Sequence, residues 1–290
     1  MLMGQENPHG GDVYRNRVHY DFSSNITPLG TPQAVIDAVQ ASCARLSDYP
    51  DPYCTALREG LSAALNVPAR HIMCGNGAAE LIFLFAAALR PKRALIVTPT
   101  FCEYENALRA VGCELSFLPL HAQDGFMLPD DACIDLSGAD VVVLCNPNNP
   151  TGCAYPRAQV ARLAERCAQQ GARLLLDECF CDLTDSPERH SLLPDTARLP
   201  NVFLLRAFTK SYGMAGVRLG FAVCADEALL AAMCRSGQTW NVSSPAQAAG
   251  LAALDCKDFA ARGRAVIQAE RAFLSERLAR LGCAVYPAYA

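Results

Sequence analysis

No apolar run in this chain is long enough to cross a bilayer. The longest, Leu81–Leu89, has nine residues, where a spanning helix needs about 20. Basic runs are missing as well. The 25 Lys and Arg face 29 Asp and Glu, giving a net charge of −4 and a pI of about 5.7. That removes the electrostatic footprint of a nucleic-acid binder. The opening stretch, MLMGQENPHGGDVYRNR, is polar and lacks the apolar segment of a secretory signal, so a cytoplasmic location is expected. There is also no CxxC pair. The 15 cysteines are odd in number and scattered singly through apolar segments, which fits reduced thiols used as small core residues rather than a disulfide framework. Cys179 and Cys181 flank Phe180 with no second pair or nearby His, so no metal site is expected. Internal repeats and low-complexity segments are absent.

What the chain does contain is an ordinary globular balance. Of its 290 residues, 51% are hydrophobic and 19% charged, enough for one large domain or two smaller ones. Up to about residue 30 it reads as an irregular arm rich in Gly, Asn and Pro. Thr31-Pro32 then predicts a helix start, with Thr31 as cap and Pro32 at the first helical position. The stretch from Asp51 repeats that logic. Short apolar runs follow at His71–Cys74, Ala94–Thr98, Val141–Cys145, Leu174–Asp177, Val202–Leu205 and Leu219–Cys224. Amphipathic helices over Ala78–Leu89, Glu103–Val111 and Pro156–Gln170 lie between them. Runs that do not alternate, separated by helices, predict an α/β fold with a mostly parallel sheet sandwiched by helices. Ligands in such folds bind beyond the C-terminal ends of the strands. A long charged helix is predicted over 257–281, and CAVYP after it reads as the start of a new strand. The expected division is an arm over 1–30, a large domain over 31–250, and a linking helix with an incomplete small domain over 251–290.

Four segments carry chemistry. In CGNGAAEL, Gly75 and Gly77 separate a strand from a helix start and can turn backbone N–H groups toward a phosphate. In VVVLCNPNNPTG, Asn149 sits at a strand's C-terminal end, placed to donate to a ligand oxygen; a punctuated turn is the plainer reading. In RLLLDECFCDL, Asp177 closes an apolar strand, where a carboxylate needs a cation or a protonated nitrogen. In RAFTKSYGMAGVRLGF, Lys210 follows one strand and Arg218 precedes the next. An amine held partly desolvated near another cation has a lowered pKa and can form a Schiff base with a carbonyl, and the arginine fork suits a phosphate. Each segment alone is ambiguous. Together and in this order they match pyridoxal 5′-phosphate, which has an aldehyde, a pyridine nitrogen, a phenolic oxygen and a phosphate. The competing nicotinamide reading of GNG lacks a third glycine and the acid expected about 20 residues later.

At these residues the chain resembles the fold-type I pyridoxal-phosphate enzymes of the aminotransferase class I/II group. The resemblance implies that Lys210 carries the cofactor's aldehyde carbon, Asp177 faces the ring nitrogen and Asn149 the phenolic oxygen and substrate. It further implies that Gly77, Ala78, Thr209 and Arg218 hold the phosphate. Phe101 or Tyr104, in PTFCEYENAL, is similar to the aromatic that stacks on the ring, with core packing as the plain alternative. Tyr49 is similar to a tyrosine that reaches the partner subunit's phosphate, which implies a homodimer. The arm, HGGDVY followed by YDFSSNITPLGTP, looks like that of the L-threonine-O-3-phosphate decarboxylases of cobalamin synthesis. There the equivalents of His9, Gly10 and Asn25 contact a phosphorylated amino-acid substrate, and phenylalanine can replace tyrosine at Phe180. Histidinol-phosphate aminotransferases are the next most similar group, and a truncated, catalytically impaired cofactor binder is a third expectation. Three features depart from the pattern. Ala207 stands where Ser or Thr is usual, Ala78-Ala79 replaces a pair with a hydroxyl or acid, and the small domain with its carboxylate-binding arginine is not seen. Each missing hydrogen bond to a charged group weakens binding by ~1.5–3 kcal/mol unless backbone N–H groups compensate.

Overall fold

A computed structural model describes residues 9–290; the first eight residues of the expected arm lie outside the described residues. The strands are β1 (Ile72–Gly75), β2 (Arg93–Thr98), β3 (Glu114–Pro119), β4 (Val141–Cys145), β5 (Arg173–Asp177), β6 (Val202–Ala207) and β7 (Gly220–Val223). They form one seven-stranded sheet in the order β1-β7-β6-β5-β4-β2-β3. Pairing is parallel from β6 to β3, whereas β7 runs antiparallel to both neighbours.

Helices α1 (Gln33–Ser42), α2 (Thr55–Leu65), α3 (Gly77–Leu89), α4 (Glu103–Ala110) and α5 (Arg157–Gln169) precede two single turns, α6 (Pro187–His190) and α7 (Phe208–Ser211). Helices α8 (Glu227–Ser236), α9 (Ser244–Asp255) and α10 (Phe259–Arg280) complete the chain. The non-alternating strands have a direct cause in the two cores they separate. Val141, Val143 and Cys145 of β4 join Leu81, Phe85 and Leu108 on one face. Val142 and Leu144 join Val160, Leu163 and Cys167 of α5 on the other. A strand covered on both sides needs an apolar residue at every position. A third cluster, with Val35, Leu57, Leu61 and Ala249, closes the β1–β7 edge.

The structure corrects three expectations. Thr31 does not cap α1; its hydroxyl donates to the Gly213 carbonyl at 2.7 Å, and Pro32 occupies the cap position without a side-chain bond. The second helix starts at Thr55, beyond a turn in which Asp51 accepts from the Tyr53 and Thr55 amides. The CAVYP stretch forms no strand and joins no ladder of the sheet. Instead the Tyr289 amide donates to Gly152 at 2.9 Å, and Tyr286 meets Phe126 edge-on. None of the 15 cysteines is disulfide-bonded, and Cys145, Cys153, Cys167 and Cys181 are enclosed in the core. Among the described residues no helix is long and apolar enough to cross a membrane.

Candidate active site

The register of β7 explains why distant segments meet. Gly75 pairs with Gly220 in the β1–β7 ladder, and Ala207 pairs with Gly220 in the β6–β7 ladder. Just beyond the strands the Phe208 amide donates to the Leu219 carbonyl at 3.3 Å, the Arg218 guanidinium lies against Gly77, and Thr209 and Arg218 line one cavity. Arg218 itself takes a left-handed backbone, φ 62°, and its Nη1 donates to Ala215 at 3.2 Å. Gly77 has φ +79°, and a Cβ on it would lie 2.5 Å from Arg218 Nη2. A Cβ on Gly220 would lie 2.5 Å from the Ala78 nitrogen. Both positions therefore need glycine for the loop to lie this close, which brings the start of α3 and the guanidinium to one point.

Asp177 ends β5, the central strand, directly beside Cys145 of β4 and Leu205 of β6. It is only 5% exposed, so each carboxylate oxygen needs partners. Oδ1 accepts from the Cys179 amide at 2.8 Å, and Oδ2 accepts from the Tyr104 hydroxyl at 2.7 Å. Tyr104 is fully enclosed; burial, then the Asp177 charge, pushes its phenol well above the ordinary range, so it stays a donor. Beneath this, Glu178 is wholly buried and pairs with Arg206 at 2.7 Å, and Arg206 also meets Asp182 at 2.5 Å. Burial works against the Arg206 charge, but Asp182 and Glu178 outweigh it and hold the pKa above its usual value.

Lys210 lies in α7, immediately after β6. Its Nζ sits 5.2 Å from the centre of the Phe180 ring. Burial lowers its pKa, opposed by Cys179 and Asp177 and assisted by Arg218. The arm supports this turn: the Thr27 amide donates to the Lys210 carbonyl at 2.9 Å.

These groups open into one cavity of about 150 Å3, lined by Ala78, Phe101, Tyr104, Asn149, Asp177, Thr209, Lys210 and Arg218, with Phe180 and Ala207. A larger cavity, about 420 Å3 and lined by Tyr53, Arg58, Arg70 and Gln238, contains none of the expected site residues. Among the three asparagines of NPNN, the structure separates the roles. Asn146 bonds the backbone of Tyr155 and His190, and Asn148 bonds Pro99 and Thr151; Asn149 is the one at the cavity. Of the two candidate aromatics, Tyr104 lies edge-on to Phe101 and bonds Asp177, leaving half-buried Phe101 at the wall.

The remaining expected residues lie outside the cavity lining. His9 stands over Phe101, with ring centres 5.5 Å apart, and bonds Glu103 at 2.7 Å. Gly10 packs on Ser23, and Asn25 is exposed. Tyr49 is 77% exposed and stacks on Trp240 at 4.4 Å. Sequence reasoning missed Cys145, Cys179 and Ile82 as lining residues. It also missed the Tyr104–Asp177 bond, for which a separation of 73 residues offers no local signal.

The donor set fits a planar, phosphate-bearing heterocycle with a ring nitrogen and a carbonyl. An amine whose pKa burial lowers faces the same space as a carboxylate, while a guanidinium and a helix start provide an anion cradle beside them. Comparisons with known proteins agree. The profile of the aminotransferase class I and II family matches residues 18–290. A threonine-phosphate decarboxylase from Salmonella typhimurium is 40% identical over 235 residues, covering 81% of this chain; the match spans 64% of that relative's length. A histidinol-phosphate aminotransferase from Symbiobacterium thermophilum is 34% identical over 285 residues, covering 96% of this chain and 77% of its own length. The crystal structure of the histidinol-phosphate aminotransferase from Clostridium acetobutylicum superposes with a TM-score of 0.85 at 26% identity, covering 92% of this chain and 80% of that one. With residues 18–290 matched and the strand-end constellation in place, the chain belongs to the aminotransferase class I and II family.

Proposed function

We propose that this protein binds pyridoxal 5′-phosphate in the Lys210 cavity and decarboxylates L-threonine O-3-phosphate to aminopropanol phosphate. The observation that carries the cofactor reading is the convergence of Lys210, Asp177, Asn149 and Arg218 on one cavity. The decarboxylase reading is supported by the 40% identity to the Salmonella relative and by His9 at the wall formed by Phe101.

When bound, the cofactor supplies an electron-withdrawing ring that takes up the electron pair left at the substrate's Cα. Asp177, fixed by Tyr104 and the Cys179 amide, would hold a proton on the ring nitrogen, and Asn149 would donate to the phenolic oxygen. Arg218, Thr209 and the amides at Gly77 and Ala78 would hold the phosphate, offsetting the hydrogen bond that Ala207 cannot make. Phe101 would cover one ring face. Lys210 Nζ is the amine that would hold the cofactor, with loss of water, and the group that would return a proton to the substrate's Cα. The residues that hold the substrate's anionic groups would orient it and so set which bond at Cα reacts. His9 is placed to do so from the arm. The exposed Tyr49 suits a role across a homodimer, reaching the partner's phosphate.

The 96% coverage by the Symbiobacterium relative supports a second reading, histidinol-phosphate amino transfer. Cofactor-loaded protein is therefore incubated with L-threonine O-3-phosphate, and separately with histidinol phosphate plus 2-oxoglutarate. Release of CO2 from the first is the expected result. Glutamate from the second, with no CO2 from the first, would replace decarboxylation by amino transfer. Neither product from loaded protein would favour an impaired binder.

A further inference from the structure

Beside the cavity, a second cluster brings together three metal-ligating side chains from two distant parts of the chain. His9 comes from the arm, and Cys102 and Glu103 from the start of α4. Their ligand atoms all lie within 4.8 Å of one another. His9 Nε2 is 2.7 Å from Glu103 Oε1. Cys102 Sγ is 3.9 Å from each ring nitrogen of His9 and 4.0 Å from Glu103 Oε1. All three residues are half-buried.

We propose that His9, Cys102 and Glu103 form a three-ligand site for a thiophilic divalent cation of the zinc class, which pins the arm to α4 beside the cavity. The ligand set is one imidazole, one thiolate and one carboxylate, a mixture that zinc accepts with a fourth position left open to water or substrate. A tetrahedral zinc with bonds of about 2.0–2.3 Å sets such ligands about 3.3–3.6 Å apart. The sulfur must therefore close in by a few tenths of an ångström, and the imidazole must turn slightly away from Glu103. Both moves are small for half-buried side chains at the start of α4 and on the arm. The charges also match. A thiolate and a carboxylate neutralise a divalent ion, so a half-buried site gains no net charge. His9 also lies against the Phe101 ring, with centres 5.5 Å apart, so a cation held there links the arm to the wall of the cavity.

Four exposed cysteines, Cys43, Cys133, Cys234 and Cys283, are competing thiols, so the test is differential. The chelator-stripped full chain is titrated with Co2+, whose thiolate charge-transfer absorption reports sulfur ligation. In the unaltered protein one tight equivalent and a thiolate band are expected. Cys102→Ser is expected to lose that equivalent and the band. His9→Ala and Glu103→Gln should weaken binding by at least about 10-fold, the scale seen even for residues one step removed from a metal. Thermal melts without metal confirm that each variant is folded. Limited proteolysis provides a second readout: Zn2+ should slow cleavage within 10–22 in the unaltered protein but not in Cys102→Ser. Full stoichiometry and an unchanged band in all three variants would overturn the site. Proteolysis equally slowed in Cys102→Ser would overturn the pinning.

Discussion

The interior under the Lys210 cavity and the arm that meets its rim at His9 are built in opposite ways. Asp177, Glu178, Arg206 and Tyr104 are almost free of solvent, and hydrogen bonds join Tyr104 to Asp177 and Arg206 to Glu178. Along the arm, Tyr14 is 94% and Phe22 90% exposed, and on the carboxyl-terminal stretch Phe273, Leu274 and Leu281 stand open as well. Burial and paired charges hold the first set in one arrangement, whereas the second set has few packing constraints.

That contrast is open to direct attack. The largest effect is expected for Arg206→Met, which leaves Glu178 as an unpaired charge in the interior. Removing one partner of a buried pair costs about 3–5 kcal/mol, read as a fall in denaturation midpoint. His9→Ala, on the rim, should change stability by less than about 0.5 kcal/mol while weakening substrate binding. Equal stability losses in the two variants would erase the distinction. Next comes Tyr104→Phe, which strips Asp177 Oδ2 of its donor. The expected loss is about 1–3 kcal/mol, with weaker protonation of the bound ring nitrogen seen as an altered absorption maximum.

Much of the interior was legible in the chain. Apolar runs without alternation marked β2, β4, β5 and β6, and Asp177 at the end of β5, with Asn149 and Lys210 beyond the ends of β4 and β6, stand around one cavity. The rest was hidden for physical reasons. Strand β3, ELSFLP, is an exposed edge with no continuous apolar run. The reversed direction of β7 depends on which strands flank it, yet the residue just before that strand pair, Arg218, is the one whose guanidinium lies against Gly77. Tyr104 and Phe101 are three residues apart and chemically similar; only the packing of α4 shows which one reaches Asp177.

A smaller effect concerns pH. Because burial lowers the Lys210 pKa below 10.5, the folded state holds this proton less tightly than the unfolded chain. Its destabilising contribution is present below the folded pKa and fades as pH rises toward 10.5. The neutral amine is accordingly available at lower pH than for a free lysine. The midpoint for aldehyde capture should lie below 10.5 and rise in Arg218→Ala, since Arg218 is one of the groups that depress it. A midpoint that falls in this variant would contradict the electrostatics of the site.

The chain has only three lysines, Lys92, Lys210 and Lys257, so covalent capture can be mapped without ambiguity. Protein loaded with pyridoxal 5′-phosphate is reduced with borohydride, digested and read by mass spectrometry. The expected result is one stoichiometric pyridoxyl group on Lys210, and none in Lys210→Ala. A group found instead on Lys92 or Lys257, with Lys210 unmodified, would contradict the assignment of the strand-end amine as the residue that takes the aldehyde.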